Sequence, residues 1–349
     1  PVRSRAMATS PQESKGLKTG ALGFVSSMVI GVASTAPGYS LAATLGFIVA
    51  VAGIGLQAPA VLIVSFIPML LIAAAYYYMN RADPDCGTTF SWATRALGPY
   101  LGWMGGWAII VADILVMANL AQIAGLYSFL LVGWQAAADS VLAVTIVGVV
   151  WIAVMTAICY IGIELSARTQ VGLLGAEVLT LAAFVVVALV KVYSGDGLET
   201  SLHPSLSWIN PFEISSFSAL VSGVLLGIFI YWGWDSTVAV NEESKDPTEG
   251  PGKAAVLATV ILLLIYVFVS VAAQAFAGPK ELIDNADDVL SALAPRCSAR
   301  RGTRSSSSRS SPRPRRPRRR RSCPPPARRC RWPTPRRCPA CSARSSRST

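Results

Sequence analysis

From residue 19 to residue 80 the chain carries no Asp, Glu, Lys, Arg or His. A helix needs about 20 apolar residues to cross the ~30 Å hydrocarbon core of a bilayer, so a charge-free run of this length holds two crossing helices and the turn between them. The same pattern continues down the chain. It predicts seven spans, over residues 20–52, 56–79, 98–132, 140–162, 169–191, 215–240 and 254–278. The first apolar stretch is too long for the core of a cleavable leader, and no small-residue cleavage site follows it. The expected fold class is all-α integral membrane, with the lipid bilayer as its solvent.

Charge divides the chain into two materials. Residues 1–295 hold 11 Lys and Arg against all 19 Asp and Glu, whereas residues 296–349 hold 19 Arg and no acid. The formal +11 of the whole chain is therefore a property of its tail. Within the body, basic residues in short loops set orientation. With a cytoplasmic N-terminal segment (residues 1–19), Arg3, Arg5, Lys15, Lys18, Arg81, Arg95, Arg168, Lys245 and Lys253 fall inside, and only Lys191 and Lys280 fall outside. That bias predicts a multi-pass protein of a bacterial cytoplasmic membrane.

Two spans are interrupted. In the first, Met28, Val29 and Ile30 lead into Gly31, Val32, Ala33, Ser34, Thr35, Ala36, Pro37 and Gly38 before apolar sequence resumes at Tyr39. Pro37 removes a backbone donor, and Gly31 and Gly38 loosen the turn. A break at mid-membrane frees peptide groups that are tolerated where they line a cavity or bind something. The start of the second half-helix, near Ala36 to Tyr39, is a natural carboxylate site. A plain proline kink is the alternative. In the sixth span, Tyr231, Trp232, Gly233, Trp234, Asp235 and Ser236 make poor continuous helix. Carbonyls freed there suit an ammonium group, with Trp232 as an aromatic lid; an interfacial Trp belt is the alternative. Spans one and six are corresponding members of two five-helix repeats, the first over residues 20–191 and the second beginning over 215–278. Interrupted helices at matching places are the best sequence pointer to a transporter site at the bilayer midplane.

Three acids lie at membrane depth: Asp113, Glu177 and Asp235. No basic residue of the body lies at comparable depth to pair with them. Such groups are functional candidates by default, and an unpaired carboxyl suits a proton carrier; a protonated acid hydrogen-bonded to nearby backbone is the alternative. His203, beside Pro204 in a loop, carries no assignment. The body shows no nucleotide-binding loop, nucleophile triad or metal-ligand cluster, so no enzyme, cofactor or metal is expected.

Four stretches resemble the amino acid–polyamine–organocation superfamily, whose fold is LeuT-like. They are GVASTAPGYSLAATLG at the first break, TTFSWATRALGPYLGWMGGW entering span three, ARTQVGLLGAEV entering span five, and YWGWDSTVAVNEESKDPTEGPGKA at and after the second break. The last is the most specific, through Glu242, Glu243, Lys245, Asp246, Pro247 and Pro251. The resemblance covers residues 18–295 and implies a secondary transporter for amino acids, with polyamines or other organic cations as alternative substrates. It implies that Gly31, Ser34, Thr35, Ala36, Pro37 and Gly38 meet the substrate's α-carboxylate and amino group. It implies that Tyr231, Trp232, Gly233 and Asp235 supply carbonyls and a gating aromatic. Members with a short Gly-Ser-Gly-like break are commoner, and Ala33 to Pro37 departs from that. Some proton-coupled members carry a lysine on span five in place of a sodium ion. Aligned through Arg168 and Gln170, Glu177 falls at that position, which implies protons rather than sodium as the coupling ion, with Glu177 and Asp113 as candidates. The sequence carries no signal for oligomeric state.

The family needs ten core helices, and apolar spans stop after the seventh. The Arg/Pro/Ser tail, residues 296–349, cannot bury a core and is expected to be disordered. With seven spans it also falls outside, against the charge rule. A shift of reading frame near codon 295 accounts for it: joining the last base of one codon to the first two of the next turns the serines at 305–308, 310 and 311, written TCN, into apolar residues. Nucleic-acid or anionic-lipid binding by the arginines, and zinc binding by Cys323, Cys330, Cys338 and Cys341, are the rival readings. No histidine joins those cysteines and their spacing is irregular, so no nucleic acid and no metal is expected.

Overall fold

The structure, a computed structural model, describes residues 17–298. Among them are twelve α-helices: α1 (Phe24–Ser34), α2 (Pro37–Ala50), α3 (Ala58–Ala82), α4 (Thr88–Leu97), α5 (Pro99–Leu131), α6 (Gln135–Ala138), α7 (Val141–Ile161), α8 (Ile163–Tyr193), α9 (Phe217–Tyr231), α10 (Ser236–Ala239), α11 (Gly250–Asp284) and α12 (Val289–Ser298). Taking α1 with α2 and α9 with α10, seven of these elements are long and apolar enough to cross a membrane. The protein is all-α, as the sequence predicts, and each predicted span has its helix. Two are longer than expected. The fifth starts at Ile163 rather than 169, and the seventh runs over Gly250–Asp284 rather than 254–278. Their extra turns carry charges such as Glu164, Arg168, Lys253, Glu281 and Asp284, which apolar runs miss but a helix leaving the bilayer accommodates.

Helix starts are built from local chemistry. Ser140 caps α7 by accepting from the Ala143 N–H, and Ser216 caps α9 by accepting from the Ala219 N–H. Pro37, Pro59 and Pro99 open α2, α3 and α5, where a missing N–H costs nothing. The end of α11 is bent at Gly278, whose φ of 73° only glycine adopts freely, and Pro279 follows it.

The core is α11. Leu262, Tyr266, Ala273 and Phe276 are inaccessible, and α3, α1, α8 and α2 pack around them. Small residues let helices approach closely. Gly125 of α5 lies against the Val144 carbonyl of α7, and Gly148 of α7 lies against the Ala121 carbonyl of α5. By contrast, α5 and α7 turn most of their apolar surface outward: Leu115, Trp103, Val149 and Ile146 are all exposed.

Three elements fall outside the predicted spans: α4, the single turn α6, and α12. Amphipathic α4 is tied back by Arg95, which pairs with Asp83 and with Asp85 at 3.1 Å. Helix α12 takes in Arg296, Cys297 and Ser298, the first residues assigned above to the tail. Arg296 pairs with Glu281 at 2.6 Å and Cys297 is buried, because this last turn still has an acid and an apolar surface to meet. Residues 1–16 and 299–349, which include most of the N-terminal segment and the serine, arginine and cysteine clusters of the tail, lie outside the described residues.

One end of the bundle is laced together. Leu22 bridges Ser244 through Leu22 N–H to the Glu243 carbonyl (2.9 Å) and Lys245 N–H to the Leu22 carbonyl (2.8 Å). Lys18 pairs with Glu164 at 2.7 Å, and Glu249 pairs with Arg81 and Lys253. Behind them a buried amide pair, Asn241 Nδ2 to Asn80 Oδ1 at 2.7 Å, fastens the loop after α10 to α3.

Candidate functional site

The first break lies where the sequence places it. Helix α1 ends at Ser34, Ala36 takes left-handed dihedrals (φ 44°, ψ 64°), and α2 begins at Pro37. A non-glycine residue held there costs roughly 1–2 kcal/mol. Local hydroxyls satisfy freed carbonyls: Ser34 Oγ donates to Ile30, Thr35 Oγ1 to Val32, and Ser40 Oγ to Thr35. At the start of α2, the Gly38 N–H donates to Glu177 Oε1 at 2.6 Å. The Ser40 N–H returns to Ala36, while the Tyr39 N–H has no acceptor among the described residues.

The second break follows Tyr231. Trp232 is extended, Gly233 has a φ of 125°, and the chain re-forms one helical turn at Ser236–Ala239. The Trp232 carbonyl finds no donor among the described residues. Tyr231 points away from the break into the core, donating its hydroxyl to the Leu62 carbonyl at 3.2 Å. Tyr266 donates to the Ile230 carbonyl at 2.6 Å and fixes the last turn of α9.

The two breaks touch. A Cβ added to Gly233 would stand 2.9 Å from the Ser34 carbonyl oxygen and 3.1 Å from the Thr35 nitrogen, so a side chain is excluded there. Ser236 Oγ lies 2.8 Å from both Ser34 Oγ and the Gly233 carbonyl, its one proton serving either. One turn earlier, Gly31 meets Thr237, whose hydroxyl donates to the Ser27 carbonyl at 3.2 Å. Beside this contact is a cavity of about 220 Å³. Its polar wall is Ser34, Thr35, Ala36 and Ser40 of the first break and Trp232 of the second. Its apolar walls are Ala43 of α2, Val116 and Leu120 of α5, and Phe229 and Ile230 of α9. Asn119 of α5, also in the wall, donates to the Tyr39 hydroxyl at 3.1 Å.

The residues singled out in the sequence therefore take different places. Ser34, Thr35, Ala36 and Trp232 line the cavity. Gly31 and Gly233 make the helix-to-helix contact, and Pro37 and Gly38 build the start of α2. Tyr231 and Asp235 are outside the lining, and Asp113 is within electrostatic reach of Asp235. Asp113 opens onto a separate cavity between α5 and α7, with Trp151 and Met155. Glu177 opens onto another, of about 470 Å³, between α2, α8 and α12, which it shares with Asp288 and Tyr127. Sequence reasoning missed the α5 wall. Asn119, an amide in the middle of an apolar span, was the available signal.

The profile of the amino acid permease family matches residues 27–295, which takes in both breaks and the cavity. The chain belongs to the amino acid permease family. That family is one of transporters within the amino acid–polyamine–organocation superfamily. This permease chain is 27% identical to an uncharacterized transporter of Mycobacterium tuberculosis over 221 residues, 61% of this chain and 46% of the relative. It is 25% identical to the branched-chain amino acid permease BcaP of Lactococcus lactis over 217 residues, 57% and 44% of the two. It is 22% identical to the low-affinity putrescine importer PlaP of Escherichia coli over 204 residues, 58% and 43%. The chain thus spans less than half the length of each of these relatives.

Proposed function

We propose that the chain is the substrate-binding half of a secondary amino acid transporter of LeuT-like architecture, working by alternating access around the two breaks. The observation that carries this reading is their direct contact beside a cavity of about 220 Å³. One wall offers an unused N–H at Tyr39 and the positive end of α2 for a carboxylate, and the other an unused carbonyl at Trp232 for an ammonium group. The α-amino and α-carboxyl groups of one amino acid match that pair. The site residues are Ser34, Thr35, Ala36 and Trp232, with Gly31, Pro37, Gly38, Gly233 and Asp235 shaping the breaks. The first repeat ends with α8 and the second begins with α9. The laced end of the bundle, with Lys18, Arg81, Arg95 and Lys253, faces the cytoplasm, as the basic-loop rule requires.

Protons are the coupling ion in this reading, and Glu177 carries them. Its carboxylate holds the Gly38 N–H, so a change in its charge acts directly on the start of α2. An ionised acceptor makes a bond worth roughly 1.5–3 kcal/mol against about 1 for a neutral one, enough to shift a balanced equilibrium severalfold. Asp113, near Asp235, is the second candidate. Uptake of radiolabelled amino acids into proteoliposomes tests the function. Glu177→Gln should abolish its dependence on external pH, and full pH-dependent uptake by that variant would end the proton assignment.

A second reading has its own observation. Helices α5 and α7 expose most of their surface, and the relatives are more than twice as long as the matched segment. On this reading the chain as given binds substrate but moves nothing, and the Arg-rich tail records a shift of reading frame. Resequencing the DNA across codons 290–300 should then find a missing or extra base. A clean reading frame would refute it.

A further inference from the structure

We infer that the cavity between the breaks selects amino acids with a neutral, apolar side chain of valine-to-leucine size and rejects polyamines and cationic amino acids. This rests on the amino acid reading above and deepens it. The groups suited to the α-amino and α-carboxyl functions all come from the breaks, so the side chain must point to the remaining walls. Those are Ala43, Val116, Leu120, Phe229 and Ile230, with the hydroxyls of Thr44 and Tyr39 among them. Asn119, the one amide in the wall, already donates to the Tyr39 hydroxyl.

No charged side chain lines this cavity among the described residues. None of the three acids at membrane depth is among the residues that line it. Asp113 faces the α5–α7 cavity, Glu177 faces the α2–α8–α12 cavity and is held by Gly38, and Asp235 lines neither of these nor the site itself. A second ammonium group, as in a diamine, lysine or arginine, would be buried there without a counter-charge, which is far more costly than leaving it in water. Size sets the other limit. A volume of about 220 Å³ is below the range of sites for drug-sized ligands, and it holds one amino acid rather than a peptide.

Ala43 is the residue that sets this size. It lies one turn beyond Tyr39 on α2, lines the cavity together with Val116 and Leu120 of α5, and is the smallest group in the apolar wall.

The test is equilibrium binding of radiolabelled leucine to the full purified chain in lipid nanodiscs, competed with isoleucine, valine, alanine, lysine, arginine and putrescine. Leucine and isoleucine should bind best. Each methylene removed should weaken competition about tenfold or more, and lysine, arginine and putrescine should not compete. Ala43→Leu should lose leucine binding and keep alanine binding, a switch that misfolding cannot mimic; Val116→Ala should admit phenylalanine. Lysine or arginine matching leucine would overturn the inference and leave the amino acid reading standing. Putrescine binding with no amino acid binding would overturn both. Absence of saturable binding by every probe would also overturn the inference, since the cavity as built would then select nothing.

Discussion

Gly233→Ala is the substitution that most directly tests whether the two breaks meet. At φ 125° an alanine is strained wherever it sits, at a cost of roughly 1–3 kcal/mol. Its Cβ would also press on the Ser34 carbonyl carbon at 3.0 Å and the Thr35 nitrogen at 3.1 Å, and these are backbone atoms that cannot rotate aside. Overpacking of this kind costs roughly another 1–3 kcal/mol. The expected loss is about 2–6 kcal/mol, or a fall of roughly 3–12 °C in Tm. Thermal unfolding in detergent, followed by far-UV circular dichroism, measures it. Gly133→Ala is the control. Gly133 has φ 72° and nothing within 4 Å of an added Cβ, so alanine there brings backbone strain without a clash, and a fall of only a few degrees is expected. Were both variants to lose the same few degrees, the contact between Ser34 and Gly233 would not exist, and the site built on it would go with it.

Other consequences follow from the packing. Gly148→Leu should drive α7 off the Ala121 carbonyl and cost about 1–3 kcal/mol, read as lost expression or a lower Tm. Asn80→Leu should cost about 1–3 kcal/mol, because it strands the Pro247 and Thr248 carbonyls and the Asn241 amide; raised protease cleavage in the loop after α10 reports it. At the foot of α11, the hydrogen bond from Lys253 holds the Glu249 carboxyl below its ordinary 4.5, helped by Arg81. A lowered pKa stabilises the fold above the unfolded value and loses that contribution as pH falls through the folded one. Glu249→Gln should therefore flatten the acid limb of a stability-versus-pH profile below about pH 5.

The spans were legible because length and apolarity suffice for them. Residues 19–80 could do little else than cross a membrane twice, and the structure puts α1, α2 and α3 there. Ends were less legible. Glu164 and Arg168 made the start of α8 look like loop, yet charge at a helix end is what a helix leaving the bilayer carries. Helix α4 was hidden because its ten residues are too few and too polar to stand out as a span, although they are amphipathic and closed back by Arg95 onto Asp83 and Asp85. Within the breaks, residue types named the place but not the direction each side chain takes. Tyr231 and Trp232 are neighbours in a run that reads as one aromatic cluster, yet one hydroxyl reaches back to Leu62 while the other ring lines the cavity.

What turns two irregular helices into a site is their register. Ser34 and Gly233 are far apart in sequence, and each alone has an ordinary explanation, a proline kink in one case and a Trp belt in the other. Neither explanation requires the breaks to meet. In the structure the residue at the contact is glycine, the peptide it covers is the last of α1, and the neighbouring hydroxyl of Ser236 reaches Ser34 at 2.8 Å. A kink alone would spend its freed groups on itself, as Ser34, Thr35 and Ser40 do with their hydroxyls. The unused Tyr39 N–H and Trp232 carbonyl, on opposite breaks and beside the same cavity, are what self-satisfaction leaves over, and on the function proposed above a zwitterion with one group for each would complete them.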